Sequence, residues 1–257
     1  MSDNPFGMPG YTSSSYGESM ADVYDEWYSS LGDRDLIDAL VRHLPAGSAD
    51  VLELGVGTGR LLDLLVSARE GIDDRMTGID TSSSMVERAR TLPSLAHARL
   101  HVGDFSDSLP AGDFDLVFCG YNTFFNLADT NAMTKSMVLV RSVLRPRGVF
   151  VVDAFVPGAG TGGDSMNIRS ITSDTLVMNV SRHDEENQRI VGQFVELSDG
   201  APVRLRPWAV RYVLPRQLDE IAAGAGLRLV ERHADGSGTA FTPESRRHVS
   251  VYGPADV

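Results

Sequence analysis

The chain has 257 residues, with 23 Lys or Arg against 35 Asp or Glu, so its formal net charge is −12 at pH 7. That length allows one large domain, or one domain with a sizeable insertion. The acidic balance is the wrong sign for neutralising phosphates along a duplex, which argues against a nucleic-acid binder. The single cysteine, Cys119, excludes an internal disulfide and a cysteine-based zinc cluster, and no metal site is predicted.

The sequence also gives no indication of a membrane-spanning segment or an export signal. The apolar runs stop short of the roughly 18 residues that span a bilayer, and the amino end lacks a basic segment followed by a hydrophobic one. We therefore expect a cytoplasmic protein that binds neither a membrane nor nucleic acid.

The first predicted elements are cap helices that follow a segment without periodicity. Residues 1–17 are rich in Gly, Ser, Pro and Tyr and are expected to be flexible until something packs on them. Residues 18–46 carry two apolar stripes at helical spacing. The first stripe comprises Met20, Val23, Tyr24, Trp27 and Tyr28, and the second comprises Leu36, Ile37, Leu40, Val41 and Leu44.

From residue 49 onward, short apolar runs alternate with helical stretches, one of them over 131–144. That rhythm predicts an α/β core, over 47–156 and 215–257, in which helices wrap a parallel sheet. Between them, 157–214 is predicted to be an inserted antiparallel meander that acts as a lid, with strands at 175–183, 188–198 and 203–214. Pro207 indicates an edge strand or a bulge, and Pro215 opens a helix that ends near Gly224.

The ends of the first three core strands carry the most informative residues. Residues 55–59 (Gly-Val-Gly-Thr-Gly) form a turn that lets a ligand lie against the backbone, with a glycine spacing one residue tighter than the dinucleotide fingerprint. Asp80 ends the second strand and could accept both hydroxyls of a ribose. Asp104 and Phe105 follow the third strand and offer a carboxylate and an aromatic face. Together these strand ends predict an adenosine-shaped site.

These motifs, in this order, resemble the class I S-adenosylmethionine-dependent methyltransferases over roughly residues 20–155. The matching stretches are VLELGVGTGRLL, GIDTSSSMVERAR, VGDF and FDLVFCGYNTFFNL. The resemblance implies a Rossmann-like, seven-stranded, mostly parallel sheet with helices on both faces, and S-adenosyl-L-methionine as cofactor. It also implies a set of cofactor residues: Gly55, Gly57 and Gly59 under the methionine part, Glu53 at its ammonium, Asp80 at the ribose, Thr81 and Met85 beside the adenine, Asp104 and Phe105 at its edge and face, and Cys119 and Gly120 at the end of strand four.

The opening helix narrows the resemblance. SMADVYDEWY resembles the "YD..Y" helix of small-molecule N-methyltransferases that act on glycine or on nucleotide-linked amino sugars, in which the first tyrosine helps to close the site over the cofactor. By that resemblance Tyr24 would contact the cofactor, and Tyr24 and Tyr28 are candidate catalytic residues. Packing of a Tyr and Trp stripe into the core is the alternative.

The acceptor site must come from the strand-four loop and the meander. Alternation along one strand puts Arg204, Arg206, Trp208 and Tyr212 on a common face, which could present cations and aromatic rings to a planar or anionic ligand. The predicted substrate residues are Tyr121, Asn122, Phe125, Asn126, Arg206, Trp208 and Tyr212.

The target atom depends on whether a base is present. An amine need only arrive unprotonated, whereas an alcohol or phenol needs a general base. Of the six histidines, His183 alone is placed to face the meander pocket, so it is the candidate base. Since no pattern identifies a base, methylation of nitrogen on a small, secondary-metabolite-like molecule by proximity and orientation is the favoured function. C- or O-methylation of an indole, aromatic or phenolic product, with a Tyr, His or Glu196 as base, remains open.

Two readings from other classes share some of these features. A nicotinamide-dependent oxidoreductase has the strand, turn and helix, but the chain lacks a Tyr-x-x-x-Lys pair for hydride transfer. A catalytically silent cofactor-binding module would bind without turnover. The edge strand of the meander also predicts a homodimer through the lid.

Overall fold

The computed structural model describes residues 4–29, 32–158, 160 and 162–256. The strands of this part of the chain are β1 (Asp50–Leu54), β2 (Arg75–Asp80), β3 (Arg99–Val102), β4 (Phe114–Cys119), β5 (Leu144–Phe155), β6 (Gly163–Ile171), β7 (Thr175–Asp184), β8 (Arg189–Ser198), β9 (Arg204–Arg211), β10 (Leu227–His233) and β11 (Arg247–Pro254).

The helices are α1 (Ser15–Met20), α2 (Tyr24–Tyr28), α3 (Arg34–Arg42), α4 (Arg60–Ala68), α5 (Ser83–Ala89), α6 (Thr130–Val143) and α7 (Pro215–Gly224), with short 3₁₀ turns at Pro93–Leu95 and Thr123–Asn126. Within the described residues, none of these helices combines the length and apolarity needed to cross a bilayer.

The larger sheet has seven strands in the order β10-β11-β5-β4-β1-β2-β3. Only β11 is reversed in it, since β11 pairs antiparallel with both β5 and β10 while β1 to β5 pair in parallel. The prediction of a seven-stranded, mostly parallel sheet is confirmed. The strand order changes direction on either side of β1, and ligands of such sheets bind at the carboxyl ends of the strands at that point.

Helices cover both faces of this sheet, as predicted. On one face α3 and α4 bury Leu36, Leu40, Leu62 and Leu65 against β1 and β4. On the other, α6 and α7 bury Met133, Met137, Val140 and Leu218. The predicted helix over 131–144 is α6, which begins one residue earlier because the Asp129 carboxylate accepts a hydrogen bond from the Ala132 backbone at 2.8 Å.

The smaller sheet is an antiparallel meander of four strands, β6-β7-β8-β9, one more than predicted. The three predicted segments become β7, β8 and β9, and the missed strand is β6. β6 is an edge strand and mostly exposed, and in its sequence GDSMNIRSI the apolar alternation is limited to Met166 and Ile168, a run too short to identify a strand. Pro207 lies in β9 at the opposite edge, which confirms its prediction.

The first predicted cap helix is broken into α1 and α2 by a turn at residues 21–23. Arg206 from β9 enters this turn, where its guanidinium donates to the Ser19 carbonyl and pairs with Asp22 at 2.5 Å. The guanidinium thereby satisfies a carbonyl near the end of α1. The break leaves Met20 buried in the hydrophobic cluster between the helices and the meander.

The amino-terminal segment that precedes α1 contacts both sheets. Tyr11 is buried, and the Thr81 hydroxyl, just after β2, donates to the Ser13 carbonyl at 3.0 Å. Arg189 of β8 donates to the Pro5 carbonyl at 2.7 Å. Residues 4–14 therefore cross from the meander to the carboxyl end of β2.

Candidate active site

A cavity with an open volume of about 760 Å³ lies at the carboxyl ends of β1, β2 and β3, and we call it the strand-end cavity. It brings together eight of the predicted cofactor residues, namely Tyr24, Gly55, Gly57, Asp80, Thr81, Met85, Asp104 and Phe105. Further walls come from residues that were not predicted: Phe6, Ser13, Tyr16, Gly17, Ser106, Thr123, Leu127, Ala128 and Ala132. Asn126 was predicted for the acceptor site and lines this cavity as well.

Asp80 connects the glycine turn to the second strand. Its carboxylate accepts hydrogen bonds from the backbone N–H of Gly57 at 2.9 Å and of Ser82 at 2.8 Å. Burial raises its pKa despite those two donors. The carboxylate is thus fixed in place at the cavity wall, where it could accept hydroxyl groups of a ligand.

Asp104 is oriented in a similar way at the end of β3. One of its oxygens accepts from the backbone N–H of Ser106 at 2.8 Å and from the Ser106 hydroxyl at 2.7 Å. Both residues line the strand-end cavity beside Phe105. The other carboxylate oxygen of Asp104 could accept from an exocyclic amine.

Glu53 lies in a narrow recess under the glycine turn, which we call the glycine recess, lined also by Tyr24, Gly55 and Arg60. Its Oε2 is buried and has no hydrogen-bond partner among the described residues. Burial raises the pKa of this carboxyl well above its ordinary value, although the nearby Arg60 lowers it. An unpaired buried carboxylate oxygen costs folding energy, so the recess is suited to a cationic ligand group such as an ammonium.

The three glycines of the turn serve different purposes. All have positive φ, with +73° at Gly55, +53° at Gly57 and +86° at Gly59. A Cβ on Gly55 would lie 2.1 Å from a methyl carbon of Thr123, whereas a Cβ on Gly57 would meet nothing within 4 Å. A Cβ on Gly59 would strike Leu95 at 2.6 Å, and Gly59 lines neither cavity. Gly59 therefore permits close packing of α4, and Gly57 leaves open space beside the backbone.

A second cavity, of about 1140 Å³ open volume, lies between the strand-four loop and the meander, and we call it the meander cavity. Of the predicted substrate residues it is lined by Tyr121, Asn122, Asn126 and Trp208. Its other walls are Tyr16, Tyr24, Tyr28, Thr123, Phe155, Ile190, Phe194 and Val210. Tyr16, Tyr24, Thr123 and Asn126 line both this cavity and the strand-end cavity, so the two cavities meet there.

The meander cavity has no acidic, basic or histidine side chain among its described lining residues. Two of its tyrosines, Tyr16 and Tyr24, are poor bases, because burial raises the pKa of Tyr24 to about 12 and that of Tyr16 well above its ordinary value. The hydroxyls of Tyr16 and Tyr28 lie 3.2 Å apart. The cavity is therefore aromatic, weakly polar and uncharged.

The wall formed by Tyr121 and Asn122 has an unusual backbone, with φ of +48° and +67°. Two acidic side chains hold it: Asp153 accepts from the Tyr121 backbone N–H at 3.0 Å, and Asp33 accepts from the Tyr121 hydroxyl. The Asn122 side chain accepts from the Phe155 N–H at 2.6 Å. Backbone conformations of this kind cost energy and persist where the surroundings fix them, often at functional sites.

Cys119 and Phe125 lie inside the core and not on a cavity wall. Both are at most 1% exposed. Burial raises the pKa of the Cys119 thiol well above its ordinary value, so it is a packing residue. The resemblance implied that Cys119 lines the site at the end of strand four, but its side chain packs into the core cluster that contains Met133 and Met137 of α6. Its neighbour Gly120 reaches the glycine recess.

Arg206 is 4% exposed, and its guanidinium forms ion pairs with Asp22 at 2.5 Å and with Glu196 at 2.8 Å. It does not line the meander cavity. The prediction that Arg206 shares a strand face with Trp208 holds, but acids from the α1–α2 turn and from β8 neutralise its charge. Trp208 reaches the cavity and donates to the Asn179 side chain at 3.0 Å.

His183 and Tyr212 pair with each other instead of facing the meander cavity. The His183 Nε2 and the Tyr212 hydroxyl are 2.9 Å apart, and the rings form an edge contact. Tyr212 is 2% exposed and packs on Phe155, which is itself a wall of the cavity. The pair therefore lies one side chain behind the wall and is not placed to take a proton from a bound molecule.

Tyr16 and Thr123 are the main site residues that the sequence did not reveal. Tyr16 lies in a Gly- and Ser-rich segment without periodicity, and Thr123 follows a predicted strand end among several polar candidates. Only the contact between Thr123 and the glycine turn distinguishes it. Metal candidates are absent from the described ranges, which contain no group of three or more His, Cys, Asp or Glu side chains able to hold an ion.

Comparisons with known proteins agree with this geometry. The methyltransferase domain family matches residues 51–148, and no curated protein matches the chain. The CcbJ methyltransferase from Streptomyces caelestis is 33% identical, with a TM-score of 0.85, covering 95% of this chain and 100% of that one.

Two more distant structures share the fold. CalS10 from Micromonospora echinaspora, an amino pentose methyltransferase solved with S-adenosylmethionine bound, is 20% identical with a TM-score of 0.68, covering 90% of this chain and 96% of that one. The sugar N-methyltransferase KedS8 from a Streptoalloteichus species is 21% identical with a TM-score of 0.66, covering 95% and 98%. These matches exclude the oxidoreductase alternative. The chain belongs to the family of S-adenosylmethionine-dependent methyltransferases.

Proposed function

We propose that this methyltransferase transfers the methyl group of S-adenosylmethionine to a nitrogen atom of a small-molecule amine bound in the meander cavity. The observation that carries the proposal is the uncharged lining of that cavity, in which the described residues include no group able to act as a base at neutral pH. The continuity of the meander cavity with the strand-end cavity supports direct transfer between them.

The residues of the strand-end cavity and the glycine recess fit the cofactor. The unpaired Oε2 of Glu53 would receive its ammonium, and the open space beside Gly57 would admit its methionine part. Asp80 would accept the ribose hydroxyls, with Asp104 at the edge of the adenine. Thr81, Met85 and Phe105 would enclose the ring. When bound, the cofactor supplies a methyl group already activated by a sulfonium, so the protein needs neither a nucleophile nor a metal of its own.

The chain's own residues then have three tasks, which are to bind the acceptor, to orient it and to exclude water. Tyr16, Tyr24, Thr123 and Asn126 border both cavities and so surround the place where donor and acceptor meet. The aromatic faces of Tyr24 and Tyr28, whose centroids are 4.7 Å apart, shield that place from solvent. Their ring faces are also favourable surfaces for a developing cationic product amine.

Nitrogen is favoured over oxygen as the acceptor atom because a neutral amine can react without first losing a proton. A phenol or alcohol would have to lose its proton to a base, and Tyr16 and Tyr24 hold their own protons too tightly to serve. An amine needs only its lone pair, and an uncharged, largely aromatic cavity favours the neutral amine over its ammonium form. KedS8 is a sugar N-methyltransferase and CalS10 is an amino pentose methyltransferase, which supports an amino sugar as the acceptor type.

A methylation assay tests this proposal. Purified protein is incubated with S-adenosylmethionine and matched panels of amines, amino sugars, phenols and indoles, and products are identified by mass spectrometry. We expect N-methylated amines and unmodified phenols, and loss of turnover in Asp80→Ala because the cofactor loses an anchor. Methylation of phenols or of indole carbon with no amine methylated would overturn it.

The homodimer through the meander also stays a proposal. Its support is the exposed apolar surface of β6, where Met166, Ile168 and Ile171 are 66–70% exposed. Sedimentation equilibrium of the wild type and of Met166→Lys with Ile168→Lys tests it, since a dimer through this face would dissociate in the variant.

A further inference from the structure

Arg169 of β6 is a half-buried cation at the edge of the meander cavity. Its Cζ lies 4.9 Å from the ring centroids of both Trp27 and Tyr28, and 5.5 Å from that of Phe194. Its Nη2 donates to the Trp27 carbonyl at 2.5 Å. Arg169 does not itself line the meander cavity, but two of the rings it packs against, Tyr28 and Phe194, are walls of that cavity. Unlike the buried Tyr212, Arg169 is partly exposed, so a group that extends out of the cavity past these rings would meet its guanidinium.

The charge of Arg169 is not neutralised by a neighbour. No Asp or Glu of the described ranges forms an ion pair with it, and its one hydrogen bond to Trp27 uses one of five N–H donors. Arg206 gives a direct contrast, since its Cζ lies 5.4 Å from the same Trp27 ring and yet it pairs with both Asp22 and Glu196. Of the two guanidiniums that flank Trp27, only Arg169 retains capacity for another anion.

We propose that Arg169 binds an anionic group, a carboxylate or a phosphate, that the methyl acceptor carries at some distance from its reacting nitrogen. This inference rests on the proposed function, because it takes the acceptor to lie in the meander cavity. The three rings fix the guanidinium plane, so little side-chain entropy is lost when it forms a bidentate contact with a planar or tetrahedral anion. Because the described lining residues of the cavity carry no charge, Arg169 selects for an acceptor that carries a negative charge.

Binding of simple probes tests the inference without knowledge of the natural acceptor. Phenyl phosphate, phenylacetate and the neutral phenylacetamide are titrated calorimetrically into the protein saturated with S-adenosylhomocysteine. We expect the anions to bind more tightly than phenylacetamide, and Arg169→Met to weaken the anions about tenfold while leaving phenylacetamide unchanged, the loss typical of a charged hydrogen bond. The tighter of the two anions identifies the class of group.

The control is Arg182→Met in β7, an exposed arginine paired with Asp164, which should leave all three probes unchanged. Methionine retains an apolar stem over the aromatic rings, so Arg169→Met should keep its affinity for S-adenosylhomocysteine. Should it fail to fold, the salt dependence of phenyl phosphate binding to the wild type, and Arg169→Lys, provide the second readout. Anions that bind the wild type no better than phenylacetamide, or equally well to wild type and Arg169→Met, would overturn the inference.

Failure of the two proposals can be told apart. If amines are methylated but the anionic probes do not depend on Arg169, the rim site is wrong and the proposed function stands. If no amine is methylated while anion binding depends on Arg169, the assignment of nitrogen fails and the anion site stands as a property of the cavity.

Discussion

Asp25 accepts a hydrogen bond from the Thr58 hydroxyl at 2.6 Å, and this contact joins α2 to the glycine turn. Asp25 also lies 3.4 Å from the Arg88 guanidinium of α5. The residue before it, Tyr24, lines the strand-end cavity, the glycine recess and the meander cavity. Asp25 therefore attaches α2 to the glycine turn, and Tyr24 lies where the cavities meet.

The first prediction concerns this contact. Asp25→Ala should weaken the binding of S-adenosylhomocysteine about fivefold, since a hydrogen bond to a partly exposed carboxylate is worth about 1 kcal/mol. Thr58→Val should have a similar effect, and the double variant should lose little more than either one. Titration calorimetry of all three measures it, with Asp25→Asn, which keeps an acceptor oxygen, as the control. Fully additive losses would show that the two residues act separately.

Glu53→Gln is predicted to raise the stability of the ligand-free protein and to lower its affinity for the cofactor. Burial raises the pKa of Glu53 above its ordinary value of 4.5, so the ionised carboxylate opposes folding. The stability linked to this group is present below the unfolded pKa and is lost as pH rises through the folded value. Without ligand, Glu53→Gln should therefore have a higher Tm than wild type at neutral to alkaline pH, with the gap closing toward acid.

The same variant should bind S-adenosylmethionine about tenfold more weakly, because the ammonium of the cofactor loses its carboxylate partner. Differential scanning fluorimetry over pH and calorimetric titration test the two effects on one protein sample. A variant with lower Tm and unchanged cofactor affinity would show that Glu53 serves folding alone.

The glycine turn allows a matched pair of substitutions. Gly57→Ala places a Cβ in open space at φ +53°, so we expect a modest cost of about 1–2 kcal/mol in unfolding free energy and a large loss of cofactor affinity. Gly55→Ala brings a Cβ to 2.1 Å from Thr123, so it should destabilise the fold itself much more. Urea denaturation and calorimetry separate the two. Normal cofactor binding by Gly57→Ala would mean that the space beside this residue is not used.

Much of the strand-end cavity is predictable from sequence because parallel strands end at one edge of a sheet. The glycine turn and Asp80 each follow an apolar strand, and Asp104 follows the shorter and more exposed β3, so their convergence needs no knowledge of distant contacts. Tyr24 is predictable from the helical spacing of its apolar stripe and from the resemblance of its helix to the "YD..Y" helix of small-molecule N-methyltransferases.

The meander residues were predicted less well for a physical reason. Alternation assigns Arg206, Trp208 and Tyr212 to one face, but that face meets an acidic turn at Arg206, a cavity at Trp208 and the core at Tyr212. Those neighbours come from elements up to 184 residues away, as in the pair of Arg206 with Asp22. Local periodicity carries no information on such pairings, and for the same reason it could not indicate Arg169 or Tyr16.

Arg206→Met should act on stability, since the ion pairs attach the α1–α2 turn to the meander. The change leaves Glu196, which is largely buried, without its partner, and we expect a loss of about 2–3 kcal/mol in the free energy of unfolding. Asp22 is half exposed, so Asp22→Asn should cost less. Urea denaturation measures both. A change in acceptor KM at unaltered stability would instead return Arg206 to the acceptor site.

The pH dependence of methyl transfer distinguishes transfer to a neutral amine from catalysis by an enzyme base. Because the pKa of Tyr24 is raised to about 12, its phenol stays protonated through the range in which amines titrate. We expect log kcat/KM to rise with unit slope as pH increases and to level off at the pKa of the free acceptor amine, moving with that pKa when the amine is changed. Tyr24→Phe and His183→Gln should keep the same break point, with Tyr24→Phe slower by less than about tenfold through the loss of one hydroxyl. A break that stays at one pH for amines of different pKa, and disappears in either variant, would reveal an enzyme base and restore O- or C-methylation as the reaction.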